Sequence, residues 1–167
     1  MKREKTEQRP SRRWLRGAAI ALLAAAIVLA NLFTFVFHVV RYYGDGMEPT
    51  LTNGQTLLLR RTTHVAQGDV IAFYYNNKLL VRRVVCTGGR QITVEEDGSV
   101  YLDGGRLEEP YLTEASYGQC SVEFPCYVPP NSVFVMGDNR AAAMDSRLKE
   151  IGTVSEDRIL GKVLFVD

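Results

Sequence analysis

Histidine is almost missing from this 167-residue chain: only His38 and His64 occur, far apart in the sequence. With three cysteines besides, no ligand set of the usual zinc spacing can be drawn. No metal centre and no cofactor is expected. There is little excess charge: the net value is +1, and the whole-chain balance points to neither a nucleic acid nor an acidic partner. Internal repeats and low-complexity tracts are absent. Residues 41–167 show no helical period of any length, which argues against a helical bundle.

One stretch lacks charge altogether. Gly17 to Val40 holds no Asp, Glu, Lys or Arg across 24 residues. As a helix it would be about 36 Å long at ~1.5 Å per residue, enough to cross a hydrocarbon core of about 30 Å. It is longer than the apolar core of a cleaved signal peptide, and it ends in bulky Phe33, Phe35, Phe37 and Val39-Val40 rather than small residues. An uncleaved transmembrane anchor over 17–40 is expected. Residues 1–16 form a basic tail with Lys2, Arg3, Lys5, Arg9, Arg12, Arg13 and Arg16 against Glu4 and Glu7. That tail favours a cytoplasmic N-terminus and an extracytoplasmic domain over 41–167. The expected localisation is thus the cell membrane, single-pass.

Cys120 and Cys126 are separated by five residues. An oxidising compartment permits a disulfide over so short a loop; two unpaired thiols is the alternative reading. Cys86 sits in an apolar run and reads as a small buried hydrophobe.

The soluble part reads as short strands between turn signals. Runs at 56–60, 69–75, 79–85, 91–95, 99–102, 132–136 and 161–166 are rich in β-branched and aromatic residues. Asn76-Asn77-Lys78 and Asp97-Gly98 read as tight turns. Brief helical turns are expected at 145–150 and 156–158. Residues 103–131, punctuated by Pro110, Pro125, Pro129 and Pro130, read as a looser insertion. The fold class is all-β: a barrel or sandwich of short antiparallel strands behind one N-terminal transmembrane helix.

Four blocks carry chemistry in order. They are Gly44-Asp45-Gly46-Met47-Glu48-Pro49-Thr50-Leu51; Gly68-Asp69-Val70; Val81-Arg82-Arg83-Val84-Val85 with Tyr101-Leu102-Asp103-Gly104 and Glu109-Pro110-Tyr111-Leu112; and Met136-Gly137-Asp138-Asn139-Arg140, then Asp145-Ser146-Arg147 and Ile159-Leu160-Gly161-Lys162. In these blocks the chain resembles the type I signal peptidase family, S26-type and Gram-positive-like. The resemblance implies a signal-peptidase-like β domain and a serine nucleophile with a lysine general base. That lysine must be neutral to accept the serine proton, so burial lowers its pKa.

The chain departs from that pattern at three positions. Gly46 stands where the family's nucleophilic serine stands. Arg82 takes the place of the base, and a guanidinium, with a pKa above ~12, supplies no neutral base. Ala143 takes the place of a serine that orients the base. Outside the tail only Lys78, Lys149 and Lys162 remain. Lys78 lies about 13 Å along a strand from Arg82 at ~3.3 Å per residue. Thr50 and Ser146 carry hydroxyls, yet neither has a candidate base. In this the chain resembles the family's catalytically degenerate members.

The residues matching structural support are present: Asp138, Asn139 and Arg140, and an ion pair of Asp145 with Arg147. The resemblance implies an extended peptide added as a strand along 69–75 and 79–85, touching Asp45, Gly46, Met47, Pro49, Ile71, Phe73 and Val81. The expected function is a membrane-anchored, non-catalytic peptide-binding or pilus/secretion-assembly chaperone, whose partners are extended segments of exported proteins or pilin subunits. The alternative is an active signal peptidase I that removes signal peptides from exported preproteins.

Overall fold

The computed structural model describes residues 12–167; Lys2, Arg3, Lys5 and Arg9 of the basic tail lie outside the described residues. The chain divides into two compact units between Val36 and Phe37.

The first unit is one helix, α1 (Arg12–Val36). Its Trp14–Val36 stretch has a mean hydropathy of 2.5 and none of it is buried in protein. At ~1.5 Å per residue, 25 residues give about 37 Å, long and apolar enough to cross a membrane. The polar Asn31 is accommodated within the helix, because its Nδ2 donates to the Ile27 carbonyl at 2.8 Å.

The second unit starts with a strand where the sequence reading continued the anchor. Phe37–Arg41 form β1, paired antiparallel with β2 (Thr56–Arg60) from Phe37↔Arg60 to Arg41↔Thr56. Hydropathy alone does not separate these states: Val39-Val40 suits a membrane helix and a pleated surface equally. A partner strand 15 residues downstream of Arg41 decides it.

The chain continues through β3 (Val70–Tyr75), β4 (Lys78–Thr87), β5 (Gln91–Val94), β6 (Val100–Leu102), β7 (Gly105–Arg106), β8 (Cys126–Tyr127), β9 (Ser132–Met136), β10 (Val154–Ser155), a 3-10 turn at Glu156–Arg158, and β11 (Ile159–Val166). Seven strands form one sheet in the order β1-β2-β11-β3-β4-β9-β10; four form a second in the order β7-β6-β5-β8. All pairings are antiparallel. The fold is sheet-dominated with one N-terminal helix. Asn76 and Asn77 make the β3–β4 hairpin with φ of 46° and 59°, a conformation asparagine tolerates. Within 103–131 only the two-residue strands β7 and β8 are regular. Residues 145–150 form hydrogen-bonded turns rather than a helix: Leu148 N–H reaches Asp145 O at 3.0 Å, and Ile151 N–H reaches Leu148 O at 3.0 Å.

Three apolar clusters hold the unit together. One, around Val85, Ile92, Val100 and Phe134, seats the small sheet on the large one. A second, around Ile71, Phe73, Val84 and Val135, lies along the large sheet. The third gathers Tyr42, Met47, Leu51, Leu57, Leu59, Ala72 and Val81, and it anchors the loop that follows β1.

Candidate functional site

Residues 44–51 leave β1 and are pinned from below. Met47 and Leu51 are buried, and the Met47 N–H donates to the Tyr42 hydroxyl at 3.1 Å. Leu51 N–H reaches Met47 O at 2.9 Å, closing a helical turn. Buried apolar side chains at 47 and 51 force Gly46, just before that turn, against the loop after β9. There the Asn139 N–H donates to Gly46 O at 3.1 Å, and Asn139 Nδ2 donates to Asp45 O at 3.1 Å.

Arg82 approaches from β4. Its side chain is buried, with Nε donating to Met144 O at 2.8 Å and Nη1 to Val81 O at 2.6 Å. The guanidinium occupies the space a side chain at Gly46 would need. A Cβ on Gly46 would stand 2.9 Å from Arg82 Nη2, 3.1 Å from Cζ and 3.2 Å from Nη1. Gly137 closes the other side: a Cβ there would lie 2.3 Å from Ala143 Cβ and 2.3 Å from Gly46 O. Gly46, Arg82 and Ala143, far apart in sequence, therefore meet in one packed cluster.

The cluster's electrostatics are those of a donor. Burial pulls Arg82 below its ordinary value, while Asp145 and the Tyr42 hydroxyl, which hydrogen-bonds it, pull it back up. Burial raises Tyr42 in turn, with Arg82 opposing. A guanidinium has donors and no acceptor. It can hold carbonyl oxygens, as it holds those of Val81 and Met144, but cannot take a proton. The nearby hydroxyls are engaged elsewhere: Thr50 Oγ1 donates to Asp138, and the buried Ser146 Oγ accepts the Val135 N–H at 3.0 Å.

Around this cluster the loop after β9 is fixed by buried ion pairs. Asp138 binds Arg83 through both oxygens and also accepts from Thr50. Arg140 donates to Gly137 O at 3.1 Å and pairs with Glu109. Asp145 and Arg147, both fully buried, pair at 2.7 and 2.9 Å; Asp145 also accepts the Gly137 N–H at 2.9 Å. Arg147 then ties Arg140 O at 2.8 Å and Tyr117 O at 2.7 Å. These pairs hold Gly137 and Ala143 against Gly46.

The expected peptide contacts separate into two groups. Asp45 and Pro49 are exposed beside Gly46, and Pro49 lines a cavity of about 370 Å³ with Glu48, Glu114, Asn139 and Arg140. Met47 is buried beneath the loop. Ile71 and Phe73 are a correction: both are 0% exposed, inside the core of the large sheet. Strand β3 has no free edge either, because β11 pairs with one side and β4 with the other. Strand β4 differs along its length. Lys78 to Arg82 pair only with β3, and β9 joins on the other side from Arg83 onward. Val81 lies on that open stretch with its side chain buried in the third cluster, beside a groove of about 310 Å³ lined by Arg41, Tyr42, Tyr43, Lys78, Leu79, Leu80 and Val81. The cysteines stand as three free thiols. No bond joins Cys120 to Cys126: Cys126 is held in β8 against the core, while Cys120 points its thiol at Val122 O.

Sequence reasoning missed Tyr42, Gly137 and Met144 as parts of the cluster. Gly137 carried a signal, since it sits in the Gly-Asp-Asn-Arg run. Met144 acts through its backbone carbonyl, so its side chain gave none.

The comparisons with known proteins agree with this architecture. The model of the family "Signal peptidase, peptidase S26" matches residues 11–166. The chain is similar to signal peptidase I T of Bacillus subtilis, at 32% identity over 98% of this chain and 90% of that protein. It is similar to a probable signal peptidase I-1 of Synechocystis, at 35% identity over 87% of this chain and 79% of that protein. Among solved structures, a signal peptidase I from Enterococcus faecalis matches with a TM-score of 0.51 and 28% identity, over 61% of this chain and 97% of that one. Matched nearly end to end, the chain belongs to the signal peptidase family, peptidase S26.

Proposed function

We propose that this protein is a membrane-anchored, non-catalytic member of the family that binds extended segments of exported proteins. The observation that carries the reading is the guanidinium of Arg82 in the space of a side chain at Gly46. Catalysis by this scaffold needs a nucleophile and a neutral base within hydrogen-bond reach. Position 46 offers no side chain, position 82 a permanent cation, and Ala143 nothing to orient a base. The scaffold nonetheless keeps its buried ion pairs and an open strand edge, which is what strand-like peptide capture requires.

Anchoring follows from α1, and the basic residues before it favour a cytoplasmic N-terminus with 37–167 outside. The narrower partner is a pilin subunit or another secreted protein awaiting assembly. The competing reading is an active signal peptidase I, favoured by the names of the relatives. Incubating the full chain in detergent micelles with signal-peptide and pilin segments separates the two. Our reading expects a complex in which the peptide stays intact by mass spectrometry. Specific fragments would support the peptidase reading, and no complex at all would remove the binding role.

A further inference from the structure

The groove beside β4 has a charge character that the whole-chain balance conceals. Arg41 and Lys78 line it, and no carboxylate does. Arg82 follows Val81 directly and, by strand alternation, shares a face of β4 with Lys78. Among the described residues, none of these three cations has a carboxylate within ion-pair distance, whereas Arg83, Arg90, Arg140, Arg147, Lys149 and Lys162 each have one. Arg82 is compensated from within, by the Met144 and Val81 carbonyls and by the nearby Asp145, which leaves Arg41 and Lys78 as the groove's uncompensated cations.

The same groove exposes backbone. Val84 exchanges hydrogen bonds with the segment at β3, its N–H reaching Asp69 O and its carbonyl accepting from Gly68 N–H. Alternation along an antiparallel ladder then turns the Leu79 and Val81 backbone groups to the opposite, open side. Val81 O is taken there by Arg82. The rest of that edge calls for another backbone, and Tyr42 and the 70%-exposed Tyr43 wall it in.

Resting on the peptide-binding reading above, we infer that this groove selects an acidic extended segment, which adds as a strand to Lys78–Val81 and places its carboxylates beside Arg41 and Lys78. The open edge favours a peptide over an anionic lipid surface, because an acidic peptide serves the edge with its backbone and the cations with its carboxylates, whereas a lipid headgroup serves only the cations. The net charge of +1 points away from an acidic partner only as a whole-chain average; the local field in this groove is positive.

The test uses the full chain in uncharged detergent and fluorescence anisotropy. Three ten-residue Ala/Val peptides are compared, identical except for two Glu, two Gln or two Lys four residues apart. The Glu peptide is expected to bind about tenfold tighter than the Gln peptide, through two exposed ion pairs. Raising salt should erase the difference. A chain carrying both Arg41→Glu and Lys78→Glu, which sit at exposed positions, should prefer the Lys peptide. Equal binding of the Glu and Gln peptides overturns this inference and leaves the peptide-binding reading standing. Failure of all three to bind overturns both. Capture by phosphatidylglycerol nanodiscs with no preference among the peptides assigns the cations to lipid and overturns the inference.

Discussion

The guanidinium of Arg82 and the missing side chain of Gly46 are two halves of one packing solution: Arg82 Nη2 lies 2.9 Å from where a Cβ on Gly46 would stand. The arginine's bonds to Met144 O and Val81 O at 2.8 and 2.6 Å hold it there. A serine at 46 and this arginine at 82 do not fit together without displacing one another.

That relationship gives a coupling prediction. Gly46→Ser alone should destabilise the domain by ~1–3 kcal/mol, the usual cost of overpacking. Arg82→Lys alone should also destabilise, through loss of charged hydrogen bonds of ~1.5–3 kcal/mol each. Combined, they should cost less than their sum by at least ~0.5 kcal/mol, because the shorter lysine vacates the space. Urea melts of the four proteins measure this; additivity would mean the two positions do not compete.

Gly137 is a stricter position. A methyl there meets Ala143 Cβ and Gly46 O at 2.3 Å each, and the latter atom is backbone. Gly137→Ala should therefore cost at least ~3 kcal/mol or prevent folding. Wild-type-like thermal stability in this variant would show that the loop after β9 gives way easily.

The Asp145–Arg147 pair bears on the site through the backbone. Asp145 accepts the Gly137 N–H as well as both Arg147 contacts, and both side chains are fully buried. Asp145→Ala should cost about 3–5 kcal/mol, since it strands a buried guanidinium. Thermal unfolding would show the loss, and a cost under ~1 kcal/mol would contradict the buried geometry.

Cysteine reactivity follows burial. Cys86 is fully buried, and burial pushes its thiol up to about 11 from an ordinary value of 9.0. Its folded pKa lies above its unfolded one, so its contribution to stability is complete below about pH 9 and is lost as pH rises through about 11. Alkylation at pH 8 should label Cys120 first and Cys86 only after unfolding. Rapid labelling of Cys86 in the folded protein would sink this assignment.

Much of the site was legible because its signals are local. Gly46, Arg82 and Ala143 drew notice through the order of the blocks, and the structure brings them into one cluster; the hairpins at Asn76-Asn77 and Asp97-Gly98 declared themselves through turn chemistry. What stayed hidden depends on neighbours distant in sequence. Ile71 and Phe73 read as groove walls because a strand's residues do not reveal that β11, nearly ninety residues later, will cover its edge. The strand Phe37–Arg41 was masked by an apolar run that ends without a break in hydropathy. The contact between Arg82 and the space at Gly46 joins residues 36 positions apart, and no local pattern reveals that one fills the place beside the other.

We propose that this site binds without cutting. The direct measurement is cleavage of a preprotein by the full chain in detergent, beside the Gly46→Ser/Arg82→Lys/Ala143→Ser variant. No specific product is expected from the unaltered chain, and mature protein is expected from the triple variant. Specific cleavage by the unaltered chain would contradict it.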